Sequence, residues 1–446
     1  MDMKTLKDKL KQFQLLYAFN ARVKCFQLKY GLASLTRRYD KRYRNAAVCY
    51  DERSAVTLFL ERHRQLQPSF SSKQPGELKI FWVGASEAQD ESGFLQALNR
   101  LAQVTKFWNR DGGYGPLYEI QGLNWLQVRE VNDAALIEQV VSAHSQEGID
   151  ILIGQMWAHI YSKDVLLKVR ALGIPVINIA MDDRLPSLWT YKNGHRMGAV
   201  GLGSGVDITL TTSPETCKWY ATENMLALFW PLASDENLFA EKNDSVKDID
   251  ILFIGNRYGI RGKLVEYLSK QGILVTCYGS GWPNGYINAK QNIAFSKRSK
   301  IILGVGAIGH CSDVYTLKLR DFDALMTGAL YITHRNPDLL KLFKEGEHLE
   351  CYTNPKELLV KLNYYLEHPE KSAEIGRKGQ VLAKTKHSWD YRLSSTFIQL
   401  GLISSLTSCQ TNNETLQTRS KLTDSGCNLK KMVKTEAFHT LCGESI

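Results

Sequence analysis

Short apolar runs that end at glycine recur along the chain: Lys79–Gly84 (KIFWVG), Ile149–Gly154 (IDILIG), Asp250–Gly255 (DILFIG) and Ile301–Gly304 (IILG). Each is rich in β-branched or aromatic residues and too short for a helix, so each predicts a buried strand. Ile174–Ala180, Asp207–Thr212, Leu228–Pro231 and Ile273–Tyr278 read the same way. Segments with helical spacing lie between them: Phe94–Val104, Ser162–Leu172, a helix opened by Ser213-Pro214-Glu215, one running to about Gln271, and 356–367. Strands alternating with helices predict parallel sheets of the doubly wound kind.

The most informative stretch is Lys318–Thr333 (KLRDFDALMTGALYIT). Leu319, Phe322, Leu325 and Met326 repeat at helical spacing, and Gly328 is a natural stop because a left-handed C′ residue costs glycine no Cβ clash. Leu330–Thr333 then predicts a strand. Arg320 and Asp323, three residues apart, share one face of that helix.

Composition divides the chain. Residues 1–66 predict a basic helical extension, with Leu6, Leu10, Phe13 and Tyr17 on one face and Phe19, Val23, Phe26 and Tyr30 on a shifted one. Residues 67–77 are rich in Ser, Pro and Gly and read as a linker. An N-terminal Rossmann-like domain is expected over 78–240, a polar hinge after it, and a second over 248–402, with the cleft between the carboxyl edges of their strands. Residues 403–446 are polar and too poor in apolar side chains to offset ordering entropy, which predicts a disordered tail.

The net charge of +10 is concentrated at the start, with twelve Lys or Arg against three Asp in the first 50 residues. The near-neutral remainder argues against a broad nucleic-acid-binding face. Residues 1–50 fit an anionic membrane surface, and the extension fits equally an ordinary helical pair packed on the domain behind it with solvated lysines. Nine scattered cysteines without a Cys-x-x-Cys pair fit a reducing compartment. Met1–Leu10 is charged and no apolar core of the cleavage type follows. A cytoplasmic protein is expected, peripheral to the inner face of a membrane if the extension binds it.

Gly255, Asn256, Arg257 and Arg261 form the best phosphate candidate, because a strand runs into a glycine turn that opens a helix and presents free N–H groups. Gly304–Gly309 matches G-x-G-x-x-G, and Gly306 at its centre leaves room for a close backbone approach. The required acid after a second strand is missing, so this is not a dinucleotide fingerprint. Asp248/Asp250 and Asp321/Asp323 are Asp-x-Asp strings. The first lies at the edge opposite the cleft, and the second puts its carboxyls about 200° apart on a helix, so no metal site is expected. Asp182 and Asp183 follow a buried strand at the cleft edge. Either, or His159 past another strand end, is a candidate general base.

From Asp248 to about Arg392 the chain resembles the C-terminal half of GT-B glycosyltransferases, nearest the spore-maturation (CgeB-type) group. The resemblance is carried by ILFIGNRYGIRGKLVEYL, VTCYGSGW, RDFDALMTGALYIT, the run from LLKLFKEGEHLECY to EIGRKG, and HSWDYR. VINIAMDD and LFWPLASDENLF match more loosely in the first half. It implies metal-independent transfer of a sugar from a nucleotide-sugar, the substrate rather than a cofactor, to a glycan, lipid-linked or protein acceptor. It also implies that the first domain holds the acceptor and the second the donor, with Arg261 on the phosphate side and Asp323 on donor hydroxyls. Phe322-Asp323 replaces the usual Phe-Glu, and Tyr315 stands where the E-x7-E pattern would place its first Glu. A nucleotide-sugar epimerase of similar fold and a catalytically inert GT-B-like binding protein are the alternatives.

Overall fold

The computed structural model describes residues 3–46, 49–240 and 246–405, with side chains from Phe19 onward. Residues 241–245 of the expected hinge, 406–446 of the expected tail, and the side chains of Leu6, Leu10, Phe13 and Tyr17 lie outside the described residues.

The first sheet holds six parallel strands: β1 (Leu78–Val83), β2 (Ala102–Lys106), β3 (Ile151–Gly154), β4 (Val176–Ala180), β5 (Ile208–Thr211) and β6 (Ala227–Phe229). Their spatial order is β2-β1-β3-β4-β5-β6. The second holds five: β7 (Ile249–Ile254), β8 (Thr276–Tyr278), β9 (Ser299–Leu303), β10 (Leu330–His334) and β11 (Glu350–Tyr352), in the order β8-β7-β9-β10-β11. In each sheet the second strand lies on one side of the first and the third on the other. That reversal, between β1 and β3 and again between β7 and β9, is where doubly wound sheets bind ligands beyond their carboxyl ends.

The helices are α1 (Met3–Asn45), α2 (Glu52–Leu66), α3 (Phe94–Leu101), α4 (Trp125–Glu147), α5 (Lys163–Ala171) and α6 (Pro214–Thr222) in the first half. The second half adds α7 (Arg261–Lys270), α8 (Ala289–Lys297), α9 (Leu319–Met326), α10 (Pro355–Glu367), α11 (Pro369–Lys386) and α12 (Trp389–Gln399). Two-residue strands pair at 191–192 and 195–196, and Cys311–Tyr315 pairs antiparallel with Ala307–Ile308.

Three findings differ from the pattern expected of the sequence. The helix from Phe94 ends at Leu101, and 102–106 pairs as an edge strand with β1, Ile80 opposite Val104. Leu101 and Val104 keep helical spacing, but Val104 and Thr105 are β-branched and the half-covered edge accepts them. The basic extension is not one unit. α2 buries Ala55, Val56 and Phe59 in the same core as Ile80, Trp82 and Ile153. The 67–77 segment is tied down: Lys73 N donates to Leu402 O at 3.0 Å and Ser404 N to Lys73 O at 2.9 Å.

The last described helix returns to the first half. Trp389 on α12 meets Phe94 on α3 edge-on at 5.0 Å, and Arg100 pairs with both Asp390 and Asp235. The halves also meet at Ser234, whose N–H donates to His387 O and whose carbonyl accepts from Trp389 N. Among the described residues no helix is long and apolar enough to cross a membrane.

Candidate functional site

The turn after β7 is shaped by glycine. Gly255 has φ +149°, and a Cβ there would collide with Arg320 Nη2 and lie 3.3 Å from Arg261 Nη1. Its N–H donates to Tyr278 O at 2.8 Å, and its carbonyl accepts from Trp282 Nε1 at 2.7 Å. A side chain on Gly259 (φ +62°) would strike the carbonyl of Gly309, which accepts from Ile260 N at 3.0 Å. The loop 304–309 thus braces the turn from behind.

Arg261 opens α7, whose N-terminus has no side-chain cap, and Arg320 is the second residue of α9. Both guanidiniums are held by carbonyls: Arg261 Nη1 donates to Asn256 O at 2.9 Å and Arg320 Nε to Ile254 O at 2.6 Å. Both lie over Phe253, at 5.6 and 4.9 Å from its ring centre. Among the described residues neither has a carboxylate within 4 Å. Burial first, and Arg320 beside it second, pull the Arg261 pKa down to about 10. Two adjacent guanidiniums without an ion-pair partner among the described residues have the geometry for bidentate contacts with an anion.

A cavity of about 460 Å³ opens in front of them. Gly255, Asn256, Arg261, Arg320 and Asp323 line it from the second half, and Ser86, Gln89 and Ser92 from the first. Both switch points therefore contribute to one cleft. Arg320 and Asp323 share the cavity face of α9 but take different partners. Asp323 Oδ1 accepts from Ser234 Oγ at 2.8 Å, and burial pushes its carboxyl up to about 8. Its neighbour Asp321 faces elsewhere, accepting from Lys318 N at 2.7 Å and from Tyr331 Oη at 2.5 Å.

The other residues singled out from sequence are outside this lining. Arg257 lies over Trp282 and pairs with Glu266 at 2.7 Å. Gly306 sits in the bracing loop, with His334 O 3.8 Å from where its Cβ would be. Tyr315 lies beneath the Arg184 guanidinium, 4.7 Å from its ring centre. Asp182 (φ +59°) accepts from Thr316 Oγ1 at 2.9 Å and Lys318 Nζ at 3.0 Å, bridging the halves of the cleft. Asp183 is fully buried, accepts from Tyr220 Oη at 2.8 Å, and is pushed up to about 7 by burial. His159 is half-buried beyond β3, its pKa lowered by burial and then by Lys192.

Sequence reasoning missed Asp90. It is buried at the first switch point, accepting from Tyr114 Oη at 2.7 Å and Gln155 Nε2 at 3.0 Å, and burial raises its carboxyl to about 6. It lines a pocket of about 20 Å³ that shares Gln89 and Leu319 with the large cavity. An acid in the polar loop after β1 carries no local mark of this; only the fold supplies Tyr114 and Gln155.

The model of a glycosyl transferase-like family matches residues 261–397, a stretch that begins at Arg261 and contains Arg320 and Asp323. No curated protein matches the chain. Among solved structures, sucrose-phosphate synthase from Thermosynechococcus elongatus is similar at 10% identity and a TM-score of 0.51, over 72% of this chain and 99% of that one. Alr3699/HepE from Anabaena, solved in complex with UDP-glucose, has the same identity and TM-score, over 72% of this chain and all of the other. These likenesses show the fold: two Rossmann-like domains facing a cleft, the GT-B arrangement, with a helical N-terminal region. The second of those domains is glycosyltransferase-like.

Proposed function

We propose that this protein is a glycosyltransferase of the spore-maturation (CgeB-type) kind. It takes a sugar from a nucleoside-diphosphate donor held in the second domain. One observation carries the reading: Arg261 and Arg320 converge over Gly255 and, among the described residues, neither has an ion-pair partner. In transfer, the bond from the anomeric carbon to the diphosphate oxygen breaks and one to an acceptor oxygen forms. Negative charge grows on the leaving diphosphate, where preorganised cations act most strongly. Two guanidiniums supply that charge, which supports metal-independent transfer. Asp323, on the same cavity wall, is suited to hydrogen-bond donor hydroxyls. UDP-glucose in the complex of the similar HepE structure supports a uridine diphosphate donor.

The acceptor is a glycan or a lipid-linked or protein-borne group. The outer face of α1 supports delivery at an anionic membrane on the cytoplasmic side. Phe19, Phe26 and Tyr30 are 61–68% exposed there, among Arg22, Lys24 and Lys29. Leu35 and Tyr39 pack the helix to the body.

Incubating the protein with UDP-sugars and analysing products tests the reading. Free UDP with a glycosylated or hydrolysed sugar supports transfer. A UDP-sugar of altered stereochemistry without free UDP identifies an epimerase instead. No binding and no turnover with any nucleotide-sugar leaves a binding protein.

A further inference from the structure

The loops beyond β3 and β4 bring cationic and aromatic side chains together at the carboxyl edge of the first sheet, the edge that also supplies Ser86 and Gln89 to the donor cavity. Trp125, the first residue of α4, is at the centre. Lys192 Nζ lies 5.4 Å from its ring centre, Arg129 Cζ 5.3 Å, and the His195 ring meets it edge-on at 5.8 Å. His159 and Trp157, with rings 6.3 Å apart, continue the cluster, and after burial Lys192 also lowers the His159 pKa. Arg129 Nη1 donates to Ala158 O at 3.0 Å, which fixes the guanidinium against the same loop.

Two features mark the cluster as a binding site. Its cations are unpaired: among the described residues neither Arg129 nor Lys192 has a carboxylate within 4 Å, and Asp133 acts on Arg129 only from farther off. Its polar atoms are unspent: among the described residues Trp125 Nε1, Arg129 Nε and His159 Nδ1 are buried without a hydrogen-bond partner. Buried donors are ordinarily paired, so three orphans in one cluster call for a ligand-side explanation. Lys192 and His195 are exposed above half-buried Trp125, Arg129, Trp157 and His159. Cations over aromatic rings suit a sugar face against the rings and an anion against the cations.

The geometry points to a binding site for an anionic saccharide, one carrying a phosphate or carboxylate. Its role as the acceptor site rests on the transferase reading; its existence does not. The acceptor's anion is held by Arg129 and Lys192, and its ring lies on the Trp125–Trp157 side of the first domain.

Calorimetric titration with glucose 6-phosphate, glucuronate and glucose tests this in the full chain, the Lys192→Gln/His195→Gln double variant and Arg261→Gln. Both substituted residues of the double variant are exposed, so folding is not at stake. The expected result is binding of the two anionic sugars but not glucose, weakened at least ~10-fold by the double variant and unchanged in Arg261→Gln. Binding of neither anionic sugar overturns the site. So does binding lost in Arg261→Gln and kept in the double variant, since the anion then occupies the donor cavity. A parallel UDP titration reports on the donor site alone, so failure there leaves the saccharide result interpretable.

Discussion

Arg261 and Arg320 reach the same point above Gly255 from the starts of two different helices, and only a glycine leaves room for both. Like charges side by side repel, and Arg261 is buried while Arg320 is half-buried. The arrangement costs stability that a bound anion would compensate.

Gly255→Ala tests that packing. The added methyl collides with Arg320 Nη2, and φ +149° is strained for any residue with a Cβ. We expect a stability loss of about 1–3 kcal/mol and UDP affinity reduced at least ~10-fold, by denaturation and calorimetry. Unchanged affinity would separate the glycine from the anion site.

Asp323 makes stability depend on pH in a defined direction. Its carboxyl is near 3.8 when unfolded and about 8 in the fold, so between those values the folded protein holds the extra proton. Stability from this group is therefore full below about pH 4 and falls as pH rises toward 8. Asp323→Asn removes that slope. The variant's Tm relative to wild type should climb between pH 5 and pH 8, measured by scanning calorimetry. Parallel Tm curves would show an Asp323 that titrates normally.

The two N-terminal helices should respond differently to substitution. Phe59 on α2 is fully buried, so Phe59→Ala should cost about 3–5 kcal/mol. Phe26 on α1 is 68% exposed, and Phe26→Ser should change stability by less than about 0.5 kcal/mol. The same change should reduce co-sedimentation with anionic liposomes at low salt. Liposome binding indifferent to Phe26 and to salt would remove α1 from the membrane reading.

The strands at both switch points were legible because Val83-Gly84 and Ile254-Gly255 combine apolar runs with a glycine exit. β2 was not: Ala102–Lys106 is an edge strand with one buried residue, too little alternation to outweigh the preceding helical spacing. α12 could not be placed with α3 from sequence, since Phe94 and Trp389 are nearly 300 residues apart and nothing local joins them. Of the residues expected around the donor, Gly255, Asn256, Arg261, Arg320 and Asp323 line one cavity, whereas Arg257, Gly306 and Tyr315 face other contacts. Position in a turn indicates proximity to a site, but side-chain direction is decided by neighbours such as Trp282 and Arg184.

Asp182 illustrates the same limit for chemistry. Its carboxylate is shared by Thr316 and Lys318 across the cleft, and at 44% exposure that ion pair is worth at most about 1 kcal/mol. Asp182→Asn should leave Tm nearly unchanged. Loss of turnover beyond ~100-fold with UDP affinity kept would assign it the proton from the acceptor; a change of a few fold would assign it to domain bridging.

The most direct measurement is calorimetric titration of UDP and uridine into wild type and Arg261→Gln. If the two guanidiniums bind the diphosphate, UDP binds wild type far more tightly than uridine does. The charge-assisted contact is worth about 1.5–3 kcal/mol. In Arg261→Gln the UDP affinity should fall about 10- to 100-fold with uridine unaffected and Tm unchanged or raised, because a like-charge neighbour of Arg320 is gone. Equal UDP affinity in both proteins, or UDP no tighter than uridine in wild type, would contradict the assignment.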